Sequence, residues 1–376
     1  MTNTDIHIPL TAGRLTIGVD RADWPLELLC DFAARDNPRR AFLVVSKVLG
    51  RHIPVAPSVM RKSFFDLAAK IPADLPGPLL IVGLAETAIC LGQGVHEEYC
   101  CRTGRSDVLF LHSTRQEIDH PLLTRFEEPH SHASSHLVYR PDLLDGAFAN
   151  PQSLVMIDDE ISTGTTLVNL ASATVAALPS IETIVGVTLA DWSGTGEWLA
   201  KMPRPAQVGS LITGRLSFVA DGVIAKGETQ TFDQAARSLG QMSVHHNFGR
   251  LGRADVADEC DYLATTIDLP PNARVRIICT GEFTYPPFRV AEALERAGHD
   301  VVVHSTTRSP AHLDGAIMSM LSFADNYQTG VPNFLYNVAA DDPRVTLICH
   351  ETPVGSLDQL LLSALQAQSL YFGAPG

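Results

Sequence analysis

The stretch Leu154–Thr166 reads Leu-Val-Met-Ile-Asp-Asp-Glu-Ile-Ser-Thr-Gly-Thr-Thr. Its four leading apolar residues predict a short buried strand, and its end is rich in small hydroxyl residues around Gly164. Apolar residues then recur at helical spacing as far as Leu178, and Pro179 follows as a helix stop. A strand, a hydroxyl-rich turn and a helix N-terminus form a cradle for a phosphate, because free backbone N–H groups and the helix dipole favour an anion there.

Asp158 and Asp159 distinguish this turn from other phosphate loops. A Walker loop would have Lys after its last glycine, whereas Thr165 follows Gly164 here, and a dinucleotide fingerprint would need three glycines. Adjacent carboxylates repel each other unless they accept hydrogen bonds or lie near a hydrated cation. A ribose 5-phosphate fits both parts, with its hydroxyls on the acid pair and its phosphate in the loop. The alternative is a buried strand that ends in an Asp-rich turn.

The stretch resembles, at every position, the motif with which type I phosphoribosyltransferases bind phosphoribosyl pyrophosphate (PRPP). This resemblance implies a Mg²⁺-dependent transfer between PRPP and a nucleobase-like acceptor, or its reverse. It implies that Asp158 and Asp159 hold the ribose hydroxyls and the metal ion. The 5-phosphate would be held by the loop residues Ser162, Thr163, Gly164, Thr165 and Thr166.

Other buried runs, at residues 79–83, 107–112 and 184–190, alternate with helical patterns. This alternation predicts an α/β fold with a doubly wound, mostly parallel sheet and a ligand at the carboxyl ends of its strands. Under the resemblance, Arg115 neutralises the departing pyrophosphate, and Trp192 stacks on the base unless it is a structural tryptophan. The turn after the first of these runs would bind pyrophosphate through Leu84, Ala85, Glu86 and Thr87.

The N-terminal segment and the loop at 116–137 leave more alternatives open. Residues 7–18 predict a strand or hairpin arm, and residues 24–35 predict a short helix. The span 39–54 predicts a strand followed by a basic turn, which either supplies positive charge to a phosphate site or is a solvated strand end. In the resembling family the 116–137 region is a closing lid. Its residues His130, His132 and His136 would either bind a metal ion or line a mobile loop.

The C-terminal part resembles a second copy of the first half. Residues 275–284 match the apolar strand that runs into Gly83, and Val301–Arg308 matches Leu109–Arg115 with one Thr added. Residues 343–353 match the acid-pair stretch, with Cys349 and His350 where the two carboxylates stand. We therefore predict a degenerate copy that has lost ribose chelation. Coincidental similarity is the alternative, because short buried strands resemble one another easily.

Thr307-Arg308-Ser309-Pro310 resembles the signature of the TRSP domain. The whole chain resembles the phosphoribosyltransferase–TRSP proteins of tellurite-resistance-type bacterial stress operons, which are predicted to make or modify a nucleoside-like metabolite. We predict a phosphoribosyltransferase domain with N-terminal hood elements at 1–225, a linker at 226–270 and a TRSP domain at 271–376. In the last, Thr307, Arg308 and Ser309 form either a second anion or partner site or ordinary polar packing.

Composition limits the remaining possibilities. The chain has 376 residues and a net charge of −14, which argues against nonspecific binding to nucleic acid or an anionic membrane. There is no apolar run of the roughly 20 residues that a membrane span needs, and no signal peptide is visible. The odd number of cysteines, 7, without a Cys-x-x-Cys pair predicts reduced thiols and a cytoplasmic location. We expect a homodimer or an operon partner, and a non-catalytic PRPP or nucleotide sensor is the alternative function.

Overall fold

The computed structural model describes residues 5–35, 40–127, 135–220, 248–255, 261–339 and 341–373. The first half consists, in chain order, of β1 (Ile6–Leu10), β2 (Gly13–Ala22), α1 (Leu26–Leu29), β3 (Cys30–Ala34), β4 (Phe42–Ser46), α2 (Pro57–Ala68), β5 (Leu79–Gly83), α3 (Ala88–Thr103), β6 (Val108–His112), β7 (Leu122–Glu127), β8 (Ser135–Tyr139), β9 (Ser153–Ile161), α4 (Thr165–Ala177), β10 (Thr183–Asp191) and β11 (Ala206–Ala220). Short 3₁₀ helices span Asp142–Asp145 and Glu197–Lys201. The second half consists of α5 (Asp261–Thr266), β12 (Arg274–Cys279), α6 (Tyr285–Arg296), β13 (Asp300–Ser305), β14 (Met320–Ala324), β15 (Pro332–Tyr336), β16 (Val345–His350), α7 (Gln359–Ala364) and β17 (Gln368–Tyr371).

The N-terminal sheet is mostly parallel, as the sequence predicts. Its strand order is β1-β2-β11-β10-β9-β5-β6. The strands from β11 to β6 run parallel to their neighbours, and the hairpin β1–β2 adds an antiparallel edge next to β11. Strands β5 and β6 are buried along their whole length, which is typical of parallel strands covered on both faces.

The acid pair lies where strand β5 ends and its neighbour β9 continues. Gly83, the last residue of β5, is opposite Ile157 of β9. Strand β9 stays paired with β10 as far as Ile161, so it is longer than the short apolar run predicts. Asp158 and Asp159 therefore lie beyond the end of β5, at the carboxyl edge where ligands bind in such sheets.

The C-terminal sheet repeats the central part of the N-terminal sheet. Its order, β13-β12-β16-β17, is the order β6-β5-β9-β10, and again all strands are parallel. The connections also repeat, because α6 follows β12 as α3 follows β5, and the ribbon β14–β15 corresponds to β7–β8. The repeat predicted from the sequence is therefore confirmed in the backbone.

Side-chain hydrogen bonds repeat as well. The hydroxyl of Tyr139 accepts from the amide of Ile118 at 2.8 Å and donates to the carbonyl of Gln116. The hydroxyl of Tyr336 makes the same two bonds, accepting from the amide of Ala311 at 2.8 Å and donating to the carbonyl of Ser309. Coincidental similarity of short strands would not reproduce such bonds.

The sheet registers correct two details of the sequence alignment. Gly83 pairs with His112 and Ile157, while Cys279 pairs with Ser305 and Cys349. Counting from these pairs, Thr307 and Arg308 correspond to Thr114 and Arg115 with no inserted residue. The positions of Asp158 and Asp159 correspond to His350 and Glu351, so the assignment to Cys349 and His350 was wrong by one residue. Buried apolar strands carry no local signal that fixes their register to a single residue.

Three secondary-structure expectations also change: the sequence predicts a short helix at 24–35, a helix that ends at about Gly94 and a hairpin that begins at Leu216. The predicted helix at 24–35 is helical only at Leu26–Leu29, and the apolar residues that follow form β3 against β4. Helix α3 continues to Thr103, where Gly104 ends it in the left-handed conformation with φ 69°. The segment beginning at Leu216, which reads as a hairpin, belongs to the long strand β11 as far as Ala220. The hairpin's second arm falls outside the described residues.

The two halves share one interior. A single apolar cluster contains residues of both sheets and of helices α2, α3 and α6, with Phe64 and Phe288 in edge-to-face contact at 5.3 Å between ring centroids. Beside it lies an ionic network in which Arg61 of α2 donates to Glu292 of α6 at 2.7 Å and to Glu97 of α3 at 2.9 Å. The two halves therefore pack against each other and share one hydrophobic core.

No helix within the described ranges has both the length and the apolar character that crossing a membrane requires. The cysteines within those same ranges are free thiols.

Replacing Arg61 with methionine tests this shared interface. The substitution leaves the carboxylates of Glu97 and Glu292 partly buried with one cation fewer, so we expect a loss of about 2–4 kcal/mol in the free energy of unfolding. The neighbouring Lys62, which is 64% exposed and pairs with Asp66 on the surface, is the matched control, and Lys62→Met should cost no more than about 1 kcal/mol. Urea denaturation of both variants measures the difference, and equal losses would contradict the interface described here.

Candidate active site

The phosphate loop predicted at Ser162–Thr166 forms the N-terminus of helix α4. Gly164 precedes the first helical residue, Thr165, and accepts the helical hydrogen bond from Val168 at 3.0 Å. Ser162 and Thr163 are exposed, and the hydroxyls of Thr163 and Thr165 are 3.0 Å apart. The amide of Thr165 donates weakly to the hydroxyl of Thr163 at 3.4 Å, so this hydroxyl lies at the first turn of the 13-residue helix. The first-turn amides of a helix together with neighbouring hydroxyls are the kind of donor set that binds a phosphate.

The loop lies on the ring of Trp198, a residue that the sequence analysis did not select. Gly164 has φ 71°, and a Cβ at this position would lie 2.2 Å from Cδ2 of Trp198. The indole N–H of Trp198 donates to Ser193 Oγ at 3.0 Å, and Ser193 donates to Asp191 at 2.6 Å. The glycine is therefore required both for its backbone conformation and for the close approach of the ring.

The acid pair lies beside this loop and is half-buried. Asp158 accepts from the amide of Asp159 at 2.9 Å. The next carboxylate, Glu160, is paired with Arg40 at 2.7 Å, so a residue of the basic span 39–54 neutralises it. Asp158 and Asp159, which the sequence predicts as ribose and metal ligands, are the other two carboxylates at this end of β9.

The loop after β5 lies next to the acid pair. The amide of Leu84 donates to the carbonyl of Ile157 at 3.0 Å, and the amide of Ala85 donates to Ser113 Oγ at 2.9 Å. The amides of Glu86 and Thr87 have no such partner within the described part of the chain. Of the four residues predicted for pyrophosphate, these two present the donors, and the other two fix the loop to its neighbours.

Glu86 is surrounded by cations. Arg308 Nε donates to Glu86 Oε1 at 2.7 Å, Thr307 Oγ1 donates to Glu86 Oε2 at 3.2 Å, and Arg51 lies 3.7 Å from the same carboxylate. Burial by itself would raise the pKa of the Glu86 carboxyl, but Arg308 and then Arg51 outweigh it and hold that pKa below its ordinary value. Glu86 is therefore ionised, and its charge is compensated from both halves of the chain.

The reciprocal contact, from the second half to the first, is made by Glu282, which occupies in the second half the position that Glu86 has in the first. Its carboxylate accepts from the hydroxyl of Thr114 and, at 2.7 Å, from the amide of Arg115. Each half thus places the glutamate of its β-strand turn on the Thr-Arg turn of the other. The two halves are related as the subunits of a symmetric dimer are, although they belong to one chain.

Arg51 ties these turns together. It is 3% exposed and donates to the carbonyls of Glu86 at 2.7 Å, Thr306 at 2.7 Å and Gly281 at 3.0 Å. The next residue, His52, is also buried, and burial lowers its pKa to about 3. The sequence left open that the span 39–54 is a solvated strand end. This alternative is wrong for Arg51 and His52, because both side chains are buried.

The other predicted residues lie at different depths. Arg115 is 6% exposed beside the loop of Glu86, whereas Trp192 is 5% exposed within the main apolar cluster, which favours its structural alternative. His136 is fully buried, stacks on Phe126 at 4.5 Å between ring centroids and shares a hydrogen bond of 2.9 Å with Ser113. His130 and His132 lie outside the described residues, so a role for the three histidines in metal binding stays a prediction.

The corresponding site in the second half is closed by its own side chains. Glu351, at the position of Asp159, accepts from Arg250 at 2.9 Å and from the hydroxyl of Tyr327 at 2.9 Å. Arg250 is 1% exposed and comes from the Gly/Arg turn that precedes the second half. Because the guanidinium of Arg250 is paired with the carboxylate of Glu351, this turn has a structural role.

The side chains suited to a metal ion are few. Among the residues that the structure describes, no group of three or more His, Cys, Asp or Glu side chains is arranged to hold one. The adjacent carboxylates of Asp158 and Asp159 lie at the end of β9, between the loop 84–87 and the N-terminus of α4 in the chain's strand order.

Comparison with protein families identifies both halves. A family profile described as phosphoribosyl transferase matches residues 29–215. A second, described as a TRSP domain C-terminal to that transferase domain, matches residues 245–365. The chain belongs to the phosphoribosyltransferase family with a C-terminal TRSP domain. It is therefore an enzyme of the glycosyltransferase type. No curated protein matches its sequence.

Several solved phosphoribosyltransferases are distantly similar to this one. The adenine phosphoribosyltransferase of Rhodothermus marinus is 13% identical, with a TM-score of 0.34, over 50% of this chain and 94% of that one. The orotate phosphoribosyltransferase of Aeropyrum pernix is 18% identical, with a TM-score of 0.29, over 50% of this chain and 86% of that one. Likenesses at this level say nothing about substrate.

Gly164→Ala tests the packing beneath the phosphate loop. We expect it to cost about 1–3 kcal/mol more than Gly104→Ala, because only the former overlaps a ring. Gly104, with φ 69° and nothing within 4 Å of an added Cβ, is the matched control for backbone strain alone. Urea denaturation compares the two variants, and identical losses would mean that Trp198 does not define the loop.

Proposed function

We propose that this phosphoribosyltransferase transfers the ribose 5-phosphate of PRPP to a nucleobase-like acceptor with the help of Mg²⁺, or runs the reverse reaction. The observation that carries the proposal is the position of Asp158 and Asp159. They lie beyond the end of β5, between a helix N-terminus on one side and a loop with available amides on the other. A sugar with a phosphate at one end and a pyrophosphate at the other matches this order of groups.

Different residues bind the phosphate, the ribose and the pyrophosphate of PRPP. Thr163, Thr165 and the first-turn amides of α4 bind the 5-phosphate, as a helix N-terminus favours. Asp158 and Asp159 accept hydrogen bonds from the ribose hydroxyls, and the loop 84–87 donates to the pyrophosphate. Arg115, beside that loop, neutralises part of the charge that develops on the leaving group.

The donor set fits Mg²⁺. This ion binds hard oxygen ligands and is usually held by one or two carboxylates together with substrate phosphates rather than by a complete protein cage. Asp158 and Asp159 supply such carboxylates next to the loop 84–87, directly or through the sugar hydroxyls. When bound, the ion would neutralise pyrophosphate oxygens.

The reaction needs no nucleophilic side chain. A nitrogen of the acceptor forms a bond to C1 of the ribose and releases any proton it carries to water, while the bond from C1 to the pyrophosphate oxygen breaks and leaves its electron pair on pyrophosphate. The protein contributes positioning and charge stabilisation. Trp192, the proposed stacking residue, is only 5% exposed, so stacking on the acceptor base would use the edge of its ring. We also propose that the product is a nucleoside-like metabolite of a stress response, and this part rests only on the family resemblance.

A second function, binding PRPP or a nucleotide without catalysis as a sensor, is favoured by one observation. Glu86 places a carboxylate in the loop assigned to pyrophosphate, where like charge opposes the anion. Pyrophosphate release from PRPP in the presence of a panel of bases separates the two functions. Release with at least one base supports the transferase, and tight PRPP binding without release across a broad panel supports the sensor.

Titration of PRPP with Mg²⁺ into wild type, Asp158→Asn and Asp159→Asn tests the site assignment. Loss of a charged hydrogen-bond acceptor should weaken binding about tenfold to a hundredfold in each variant. Asp145→Asn is the control, because Asp145 is 71% exposed on the surface of the same half, and its affinity should equal that of wild type. If the acid-pair variants bind PRPP as tightly as wild type, the assignment of the acid pair is wrong.

A further inference from the structure

The TRSP signature lies on the candidate pyrophosphate loop of the first half. Arg308 and Thr307 both contact the carboxylate of Glu86, a residue more than 200 positions earlier in the chain. The backbone of Thr307 is itself held, because it exchanges hydrogen bonds of 2.9 and 2.7 Å with Phe334 of β15. The signature is thus a rigid turn that the second half inserts beside the loop 84–87.

Arg308 has donors to spare. Its Nε donates to Glu86, and within the described ranges its two terminal nitrogens donate to no protein acceptor. Its side chain is 20% exposed, so these nitrogens reach solvent at the loop. Arg51, by contrast, is almost completely buried and uses both terminal nitrogens on backbone carbonyls. Of these two guanidiniums on Glu86, only that of Arg308 has a side from which an anion can be bound.

The charge of Glu86 explains why an arginine is needed here. A carboxylate in an anion-binding loop repels the ligand unless a cation compensates it, and the loop's own sequence, Leu84–Thr87, contains none. An arginine can compensate the carboxylate through one edge and present its remaining N–H groups to phosphate oxygens, which a lysine ammonium does not do with fixed geometry.

We propose that Arg308 is a pyrophosphate-binding residue of the first half's active site. Its Nε rests on Glu86, and its terminal nitrogens donate to pyrophosphate oxygens. The TRSP domain is therefore part of the catalytic unit and does not form a separate anion site. This inference rests on the proposed function, since it names a further ligand of the same substrate.

The second half supplies a guanidinium to the glutamate of the first half, but the first half does not do the same in return. In the reciprocal contact Glu282 receives the backbone amide of Arg115, not a guanidinium. The second half's own acid position is closed, because Glu351 is paired with the buried Arg250. Thus the symmetric arrangement equips one site, that of the first half, with residues from both.

Isothermal titration of pyrophosphate with Mg²⁺, and separately of ribose 5-phosphate, into the full chain tests the proposal. Arg308→Ala should lose about tenfold to a hundredfold in pyrophosphate affinity and keep its ribose 5-phosphate affinity. Arg308→Lys should recover only part of the loss, because it restores the charge without the fork. Arg274→Ala is the control, since Arg274 is 49% exposed in the same half and pairs with Asp300 on the surface.

Three results would overturn the proposal. The first is unchanged pyrophosphate affinity in Arg308→Ala. The second is a loss of affinity that is equally large for pyrophosphate and for ribose 5-phosphate, in Arg308→Ala and in Arg308→Lys alike. Such a result would indicate that Arg308 has only a structural role. The third comes from Glu86→Gln: if Arg308→Ala no longer weakens pyrophosphate binding in that background, Arg308 acts only through Glu86.

The same titrations separate this inference from the proposed function. Wild type that binds neither ribose 5-phosphate nor pyrophosphate contradicts the proposed function and the role of Arg308 with it. Wild type that binds both, with Asp158→Asn weakening ribose 5-phosphate while Arg308→Ala changes nothing, contradicts the role of Arg308 alone.

Discussion

The guanidinium of Arg51 donates to the backbone carbonyls of Glu86, Thr306 and Gly281 from a position that is 3% exposed. A buried guanidinium is tolerated only when its donors are paired, so the turns that supply these carbonyls are held in one arrangement. Two of these turns correspond to each other, namely the turn after β5 and the turn after β12. The third carbonyl, that of Thr306, lies directly before the TRSP signature. The geometry of the candidate pyrophosphate loop therefore depends on both halves of the chain at once.

Around this contact a repeated architecture carries unequal chemistry. Both halves have the same strand order, the same turn hydrogen bonds and a glutamate that reaches across to the other half. At the next strand end they diverge, because the first half has Asp158 and Asp159 beside an open helix N-terminus, and the second has His350 and a Glu351 neutralised by Arg250. The candidate site therefore lies in the first half, and the altered copy places Arg308 beside its candidate pyrophosphate loop.

The sequence predicted those parts of the molecule that are encoded locally. Strand, turn and helix at Leu154–Thr166 follow from apolar periodicity and small residues, and the repeat follows from two such patterns in the same order. Contacts between distant segments have no local signal, so the approach of Arg308 to Glu86, 222 positions apart, could not be predicted. The same holds for Trp198 beneath Gly164, and for the register that places Glu351 rather than Cys349 at an acid position, since that depends on pairing across the sheet.

A crystal structure of the full chain with PRPP and Mg²⁺ tests the central claim most directly. We expect the 5-phosphate at the N-terminus of α4, the ribose hydroxyls on Asp158 and Asp159, and pyrophosphate between the loop 84–87 and Arg308. PRPP bound at the corresponding edge of the second half, near Glu351, or bound in the first half without contact to the acid pair, would contradict it.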